Sequence, residues 1–314
     1  MHRPAFNCDV LVTGEYFCDL IYAGLPEAPR LGAEYYARDL TVLPGGTYNI
    51  ALALSRLGLD TLWACDFGND LFSRLVMEQA EHDGLDGRLF NHLDRSVQRV
   101  TSAFSLAGDR GFLSFSETPV APPPANTLQQ ARPQWLVQTF RFEPEWLSFI
   151  EAAREQGVKI FADCRHPDFT LDTPGVRAFL ATLTIFSPNE AEATGMTGLR
   201  NPEAALDRLG ELVPVVAMKR GGQGASVIVN GERFDIAAPR VEVVDATGAG
   251  DAFNGGFLLG LVNRLPLQAC VELAVLCGSL STTGYGALAA PTLMELKEFA
   301  NRHGREIPFQ EVML

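Results

Sequence analysis

From Trp135 onward, short β-branched runs alternate with stretches of helical apolar period, and this alternation constrains the fold more than any other feature of the chain. Strand-like Trp135–Phe140, Val158–Asp163, Thr184–Phe186 and Pro214–Lys219 are separated by helix-like Pro144–Gln156, Val176–Leu183 and Pro202–Leu212. Strands joined through helices at this spacing run parallel, and a parallel sheet is covered on both faces. Asp9–Gly14 and Thr61–Phe67 read as further strands. Helices follow from Ile50 to Leu57, ended by Gly58, and from Asn69 to about His82. After Lys219 come a Gly-rich turn and a hairpin across Val227–Asp235. Three helices close the chain, near Ala249–Asn263, Pro266–Thr282 and Leu293–His303. No internal repeat or interdomain linker appears over 314 residues, so one α/β domain spanning 1–314 is expected.

Some strands fall outside the alternation. Glu15–Ile21, Tyr35–Leu43, Ser96–Phe104 and Gly111–Phe115 read as a small inserted β-sheet, placed to cover a site and formed by segments 15–43 and 96–116. The last two are joined by the turn Ala107-Gly108-Asp109-Arg110, and the Pro-rich stretch Pro119–Pro124 returns the chain to the main domain as a stiff connector.

The net charge of −13 argues against general affinity for nucleic acid or anionic membrane. Any polyanionic substrate therefore needs a local positive site. The six cysteines (Cys8, Cys18, Cys65, Cys164, Cys270, Cys277) form no CxxC and no His/Cys cluster, and read as buried reduced thiols in a reducing cytoplasm. The first nine residues lack the apolar core of a signal peptide, and no apolar run reaches membrane-spanning length.

The most informative motif is Val244-Asp245-Ala246-Thr247-Gly248-Ala249-Gly250-Asp251, which runs directly into a helix. Gly248 and Gly250 permit close backbone approach, and the first N–H groups of the helix have no intrahelical partner. With the helix dipole they make an anion site suited to phosphate. Asp251 is then either a base beside a bound phosphate or an ordinary capping residue. A dinucleotide fingerprint fails, because Gly248, Gly250 and Gly255 do not space as GxGxxG, and no Gly-Lys pair exists for a phosphate loop. Asp19, at the end of an early strand, is either a hydroxyl ligand or a solvated turn residue. Gly45-Gly46 opens a helix and brings backbone close to any ligand, with Asn49 on the first turn as donor and acceptor.

Two separated motifs agree on one family. Gly45-Gly46-Thr47-Tyr48-Asn49-Ile50-Ala51 resembles the N-terminal signature of the ribokinase-like, or phosphofructokinase-B, carbohydrate kinases. Asp245–Phe253 resembles their C-terminal signature, with Ala246 in place of the usual Thr. Asn189-Glu190-Ala191-Glu192 matches the family's Asn-x-x-Glu magnesium motif, and Gly14-Glu15 with Asp19, Asp163-Cys164-Arg165 and Gly221–Gly224 fall in the expected order. The resemblance spans almost the whole chain. It implies a three-layer α/β/α sandwich with a β-sheet lid, and ATP-dependent phosphorylation of a primary hydroxyl of a small sugar. Under it Asp251 is the general base, and the amides of Gly248, Ala249 and Gly250 form the anion hole. Asn189 and Glu192 act on Mg²⁺ through water. Asp19, Gly45, Gly46 and Asn49 hold sugar hydroxyls, with Arg165 a substrate or phosphate contact. Lys219, Gly221, Gly224 and Gly278 line the nucleotide site; Asp245 and Thr247 help to hold a monovalent cation such as K⁺. None of the five histidines pairs with a nucleophile.

The same motifs occur in nucleoside kinases, which form the close alternative. A non-catalytic sugar-binding protein is a third reading, and the failed glycine spacing places a nicotinamide oxidoreductase below it. Acceptor choice is expected to lie in the inserted sheet, at Tyr16, Phe17, Arg99, Thr101, Phe104 and Phe112, whose edge leaves a homodimer open.

Overall fold

Four buried residues, Val10–Thr13, form the first strand of the computed structural model, which describes residues 7–106, 109–117, 119–164, 168–305 and 307. In chain order the first half comprises β1 (Val10–Thr13), β2 (Tyr16–Ala23), β3 (Asp39–Gly46), α1 (Thr47–Arg56), β4 (Thr61–Phe67), α2 (Leu71–His82), β5 (Phe90–His92), β6 (Arg99–Leu106) and β7 (Asp109–Ser116). Next come α3 (Asn126–Ala131), β8 (Trp135–Thr139), α4 (Pro144–Glu155), β9 (Lys159–Asp163), α5 (Val176–Thr182), β10 (Ile185–Ser187), α6 (Glu190–Thr197) and α7 (Pro202–Gly210). The chain ends with β11 (Val215–Lys219), β12 (Ala225–Val229), β13 (Glu232–Ile236), α8 (Ala249–Val262), α9 (Leu267–Ser281) and α10 (Leu293–Arg302).

These elements form two compact units, one of residues 1–13, 49–62 and 121–314, the other of residues 14–48 and 63–120. The first unit is the expected α/β core. Its sheet runs β13-β12-β11-β10-β9-β8-β1 and on to the first residues of β4. Strands β11, β10, β9, β8 and β1 are mutually parallel, and the hairpin β12–β13 adds an antiparallel edge. Helices cover both faces, as a parallel sheet requires. On one face Phe161 of β9 meets Phe257 of α8 edge-on at 5.6 Å. On the other, Phe140 lies 5.7 Å from Phe186 of β10 and 4.3 Å from Phe179 of α5.

The second unit carries a four-stranded sheet of order β3-β2-β6-β7, in which only β2 and β6 run parallel. It contains both segments expected of the inserted sheet and also α2. Tyr16 explains that inclusion: its hydroxyl shares a 2.7 Å hydrogen bond with Ser73 Oγ of α2 and donates to the Val97 carbonyl at 2.8 Å. Strand β3 begins later than the expected Tyr35 and continues through Pro44 to Gly46. Proline is tolerated there because β3 is an edge strand and one of its N–H positions needs no partner. Of the expected turn between β6 and β7, Ala107 and Gly108 lie outside the described residues. Strand β5 and helices α3 and α6 carried no sequence expectation. Among the described residues no helix is long and apolar enough to cross a membrane. All six cysteines are free thiols, five of them buried and Cys164 half-buried.

Candidate active site

Three neighbouring parallel strands of the first unit end in polar residues: Asp163 on β9, Ser187 on β10 and Lys219 on β11. Open α/β sheets bind ligands at these carboxyl ends. Asp163 is the hub. Its Oδ1 accepts from Lys219 Nζ and from the Cys164 N–H, each at 2.7 Å, and its Oδ2 accepts from Asn254 Nδ2 at 2.7 Å. The Asn254 amide is completed by Ser187 Oγ, which donates to its Oδ1 at 2.8 Å. Asn254 lies one turn beyond Asp251 on α8, so this chain of bonds pins the start of α8 to three strand ends.

The glycine turn before α8 folds as the sequence implies. Gly248 is the N-cap, in the left-handed region at φ 77°, and Asp251 falls in the first turn. The Ala249 N–H closes a turn onto the Ala246 carbonyl at 3.3 Å. The next amides, of Gly250 and Asp251, sit at helix positions that lack an intrahelical acceptor. A Cβ at Gly250 would stand 3.4 Å from Lys219 Nζ, in ordinary contact with it. The ammonium therefore lies directly beside the amide turn.

A cavity of about 420 Å³ opens here, lined at one end by Asp163, Asn189, Glu192, Lys219, Gly250 and Asp251. Asp251 is pushed up to about 7, first by burial and then by the Asp163 carboxylate; Lys219, an Asn49 hydrogen bond and Glu192 act as smaller influences, the first two lowering it. Glu192 is likewise pushed up to about 7 by burial and by Asp163. Burial disfavours the Lys219 charge, yet Asp163, Glu192 and Asp251 more than offset this and its pKa is raised. One ammonium thus stands among three carboxyl groups, and two of these hold their protons to near neutrality.

Asn189 and Glu192 form a capping box at the start of α6. Asn189 Oδ1 accepts from the Glu192 N–H at 2.9 Å, and Glu192 Oε2 accepts from the Asn189 N–H at 2.7 Å. The same spacing that reads as a magnesium motif is also a helix-start signature. Among the described residues no group of three or more His, Cys, Asp or Glu side chains is gathered as a metal cage. A carboxylate and an amide at the cavity edge fit Mg²⁺ held largely by water and phosphate, the usual mode for that ion. Asp245 ties its own turn to the segment after α9: Oδ1 accepts from the Thr247 N–H at 3.0 Å and its hydroxyl at 2.8 Å, and Oδ2 from the Gly286 N–H at 3.0 Å. Gly221, Gly224 and Gly278 also line the cavity. Asn49 Oδ1 is buried and accepts no hydrogen bond among the described residues.

In the second unit, Asp19 of β2 is opposite Leu43 of β3 and Thr101 of β6. Its carboxyl is pushed up to about 6 by burial, against a hydrogen bond from Thr101. Gly45 is glycine for a direct reason: a Cβ there would lie 2.1 Å from Asp19 Oδ2. Gly46 follows at φ 66° and ends β3. Arg165 lies outside the described residues. Asn254 and Ser187 were not singled out by sequence reasoning. The signal available was an amide three residues after Asp251, on the same face of the helix.

A glycine turn at a helix N-terminus, beside a lysine and carboxyl groups at the carboxyl ends of parallel strands, defines an α/β protein equipped to receive a phosphorylated ligand. The model of the pfkB family carbohydrate kinases matches residues 9–293. Acarbose 7(IV)-phosphotransferase of Actinoplanes sp. is 34% identical over 292 residues, covering 88% of this chain and 93% of that protein. Among solved structures, Arabidopsis thaliana ribokinase complexed with ribose and ATP superposes with a TM-score of 0.78 at 19% identity, covering 97% of this chain and all of that one. Burkholderia thailandensis nucleoside kinase in complex with inosine has a TM-score of 0.73 at 21% identity, covering 95% and 98%. The chain belongs to the pfkB family of carbohydrate kinases. It is a phosphotransferase with an alcohol group as acceptor, on a ribokinase-like fold.

Proposed function

We propose that the protein transfers the γ-phosphoryl group of ATP to a primary hydroxyl of a small sugar. The observation that carries this reading is the Asp251 carboxyl, in the first turn of α8, sharing one cavity with Lys219 and Glu192 and holding its proton to about 7. A base works best when its pKa lies near the working pH. Asp251 takes the proton of the acceptor hydroxyl as that oxygen bonds to the γ-phosphorus; the bond to the ADP oxygen breaks and its electron pair leaves with ADP. The amides of Gly250 and Asp251 receive charge developing on the phosphoryl oxygens, in the anion-hole role first assigned to Gly248, Ala249 and Gly250. Lys219, Gly221, Gly224 and Gly278 hold the nucleotide. Asn189 and Glu192 would hold Mg²⁺ through water, and the ion would supply charge neutralisation at the phosphates.

Asp19, Gly45, Gly46 and Asn49 are assigned to the acceptor's hydroxyls. The orphan Oδ1 of Asn49 and the close approach of Gly45 to Asp19 support this. The test is a panel of acceptors assayed by ADP release in Mg-ATP: fructose, ribose and 2-keto-3-deoxygluconate against adenosine, inosine and cytidine. Turnover with sugars and none with nucleosides is expected; the reverse would make it a nucleoside kinase. A K⁺ ion at the Asp245–Thr247 loop would appear as stimulation of the same reaction by KCl over NaCl.

A second copy of the chain is assigned to one face of the β3-β2-β6-β7 sheet. The register places Leu40 and Val42 of β3 on the same face as Leu113 and Phe115 of β7, and all four are exposed. Sedimentation is expected to show a concentration-dependent dimer, and a constant monomer mass would count against it.

A further inference from the structure

Asp19 belongs to a polar row that crosses the sheet of the second unit. The register places Leu43 of β3, Asp19 of β2, Thr101 of β6 and Ser114 of β7 side by side, on one face. Toward β3 the Asp19 carboxyl lies over the Gly45 backbone, where even a Cβ would come within 2.1 Å of Oδ2. Toward β6 it is hydrogen-bonded to the Thr101 hydroxyl. Thr101 Oγ1 in turn lies 3.0 Å from Ser114 Oγ.

Proton counting fixes the direction of this row. An ionised carboxylate only accepts, and each hydroxyl has one proton to give. Thr101 therefore donates to Asp19, and Ser114 donates to Thr101. The charged groups nearby are occupied elsewhere. Arg99, two residues before Thr101 on the same face, gives Nη1 to the Asp66 carbonyl at 3.2 Å. The Cys18 thiol, next to Asp19 on β2, is pushed up to about 11, chiefly by burial, and is neutral. Helix α2 meets β2 at Tyr16 and Ser73, where Asp70 accepts from the Ser73 and Val97 N–H groups. Burial raises the Asp19 pKa, and the Thr101 hydroxyl opposes it.

We propose that Thr101 is a positioning residue for the acceptor site: with Ser114 behind it, its hydroxyl holds the Asp19 carboxylate from the β6 side and leaves the remaining lone pairs to accept from the acceptor's hydroxyls. This rests on the assignment of Asp19 to those hydroxyls. It adds the group that keeps Asp19 in its accepting form.

The experiment uses the full chain. Thr101→Val keeps the β-branched shape and removes the donor. Asp19 is titrated by ¹³C NMR of aspartate-labelled protein, its signal assigned by its loss in Asp19→Asn. Acceptor KM is measured from pH 5 to 8 with a sugar that the wild type turns over. Loss of a hydrogen bond to a charged group should raise the midpoint by about one pH unit in both measurements. Thr101→Ser should restore the wild-type midpoint. Ser114→Ala should move it less, because water can replace an exposed donor. An unmoved midpoint in Thr101→Val would overturn the inference. So would a loss of acceptor affinity equal at every pH, which would make Thr101 a direct contact instead. A flat wild-type acceptor KM would remove Asp19 from the acceptor site whatever the NMR shows, and the inference would fall with that assignment.

Discussion

Replacing Asp251 by Asn should stabilise the protein, by an amount that grows with pH. The ordinary value for this carboxyl is 3.8, and in the fold it stands at about 7. A group whose pKa is raised by folding loses stability as pH rises from its unfolded to its folded value. Between those limits the unfolded chain has released the proton and the folded one retains it. At about 1.4 kcal/mol per pH unit the full gap corresponds to about 4 kcal/mol. Asp251 faces a cavity and shares its field with Asp163, Lys219 and Glu192, so about half of that, ~2 kcal/mol, is the reasonable expectation. Asn retains an oxygen to accept the Asn49 hydrogen bond but carries no charge to desolvate. Thermal unfolding without nucleotide or Mg²⁺, at pH 5 and pH 8, is the assay. The variant should gain about 1 kcal/mol at pH 5 and about 2 kcal/mol at pH 8, so its melting advantage over wild type should roughly double between the two, at roughly 2–4 °C per kcal/mol. Equal melting temperatures at both pH values, or a variant less stable at pH 8, would refute the argument that burial and Asp163 hold this carboxyl high.

Other perturbations separate the two halves of the chemistry. Gly45→Ala should displace the Asp19 carboxylate, raising acceptor KM by about tenfold or more while leaving ATP affinity unchanged, since the added Cβ would lie 2.1 Å from Asp19 Oδ2. Acceptor affinity should fall as pH drops below about 6, where Asp19 takes up its proton and loses acceptor capacity; a flat acceptor KM from pH 5 to 8 would remove that role. Lys219→Met should weaken ATP binding by at least about tenfold. It should also move the acid limb of the rate profile to higher pH, because the lysine lowers the Asp251 value.

The fold was legible where a single physical rule dominated. Alternating strands and helices after Trp135 required a parallel sheet, and β8, β9, β10 and β11 pair as that rule demands. Leu71–His82 and Leu293–Arg302 show amphipathic spacing and side-chain N-caps that a sequence displays openly. Boundaries were harder at β3, where Pro44 suggested a stop that an edge strand does not need. Helix α6 was hidden because Asn189 and Glu192 carry both a capping box and a metal motif in the same four residues. The glycine turn, Asp251, Asn189, Glu192 and Lys219 could be named in advance, and the structure gathers Gly250, Asp251, Asn189, Glu192 and Lys219 around one cavity. What joins them could not be read. The bonds from Ser187 through Asn254 and Asp163 to Lys219 link four distant segments, and no local pattern records such a meeting.

Acceptor-dependent ADP release, compared between wild type and Asp251→Asn under saturating Mg-ATP, tests the central claim most directly. Wild type should turn over at least one sugar of the panel, and the variant should lose about 10²–10⁴ of that rate while remaining folded and able to bind ATP. A folded Asp251→Asn protein that phosphorylates the same sugar at the wild-type rate would show that Asp251 is not the base.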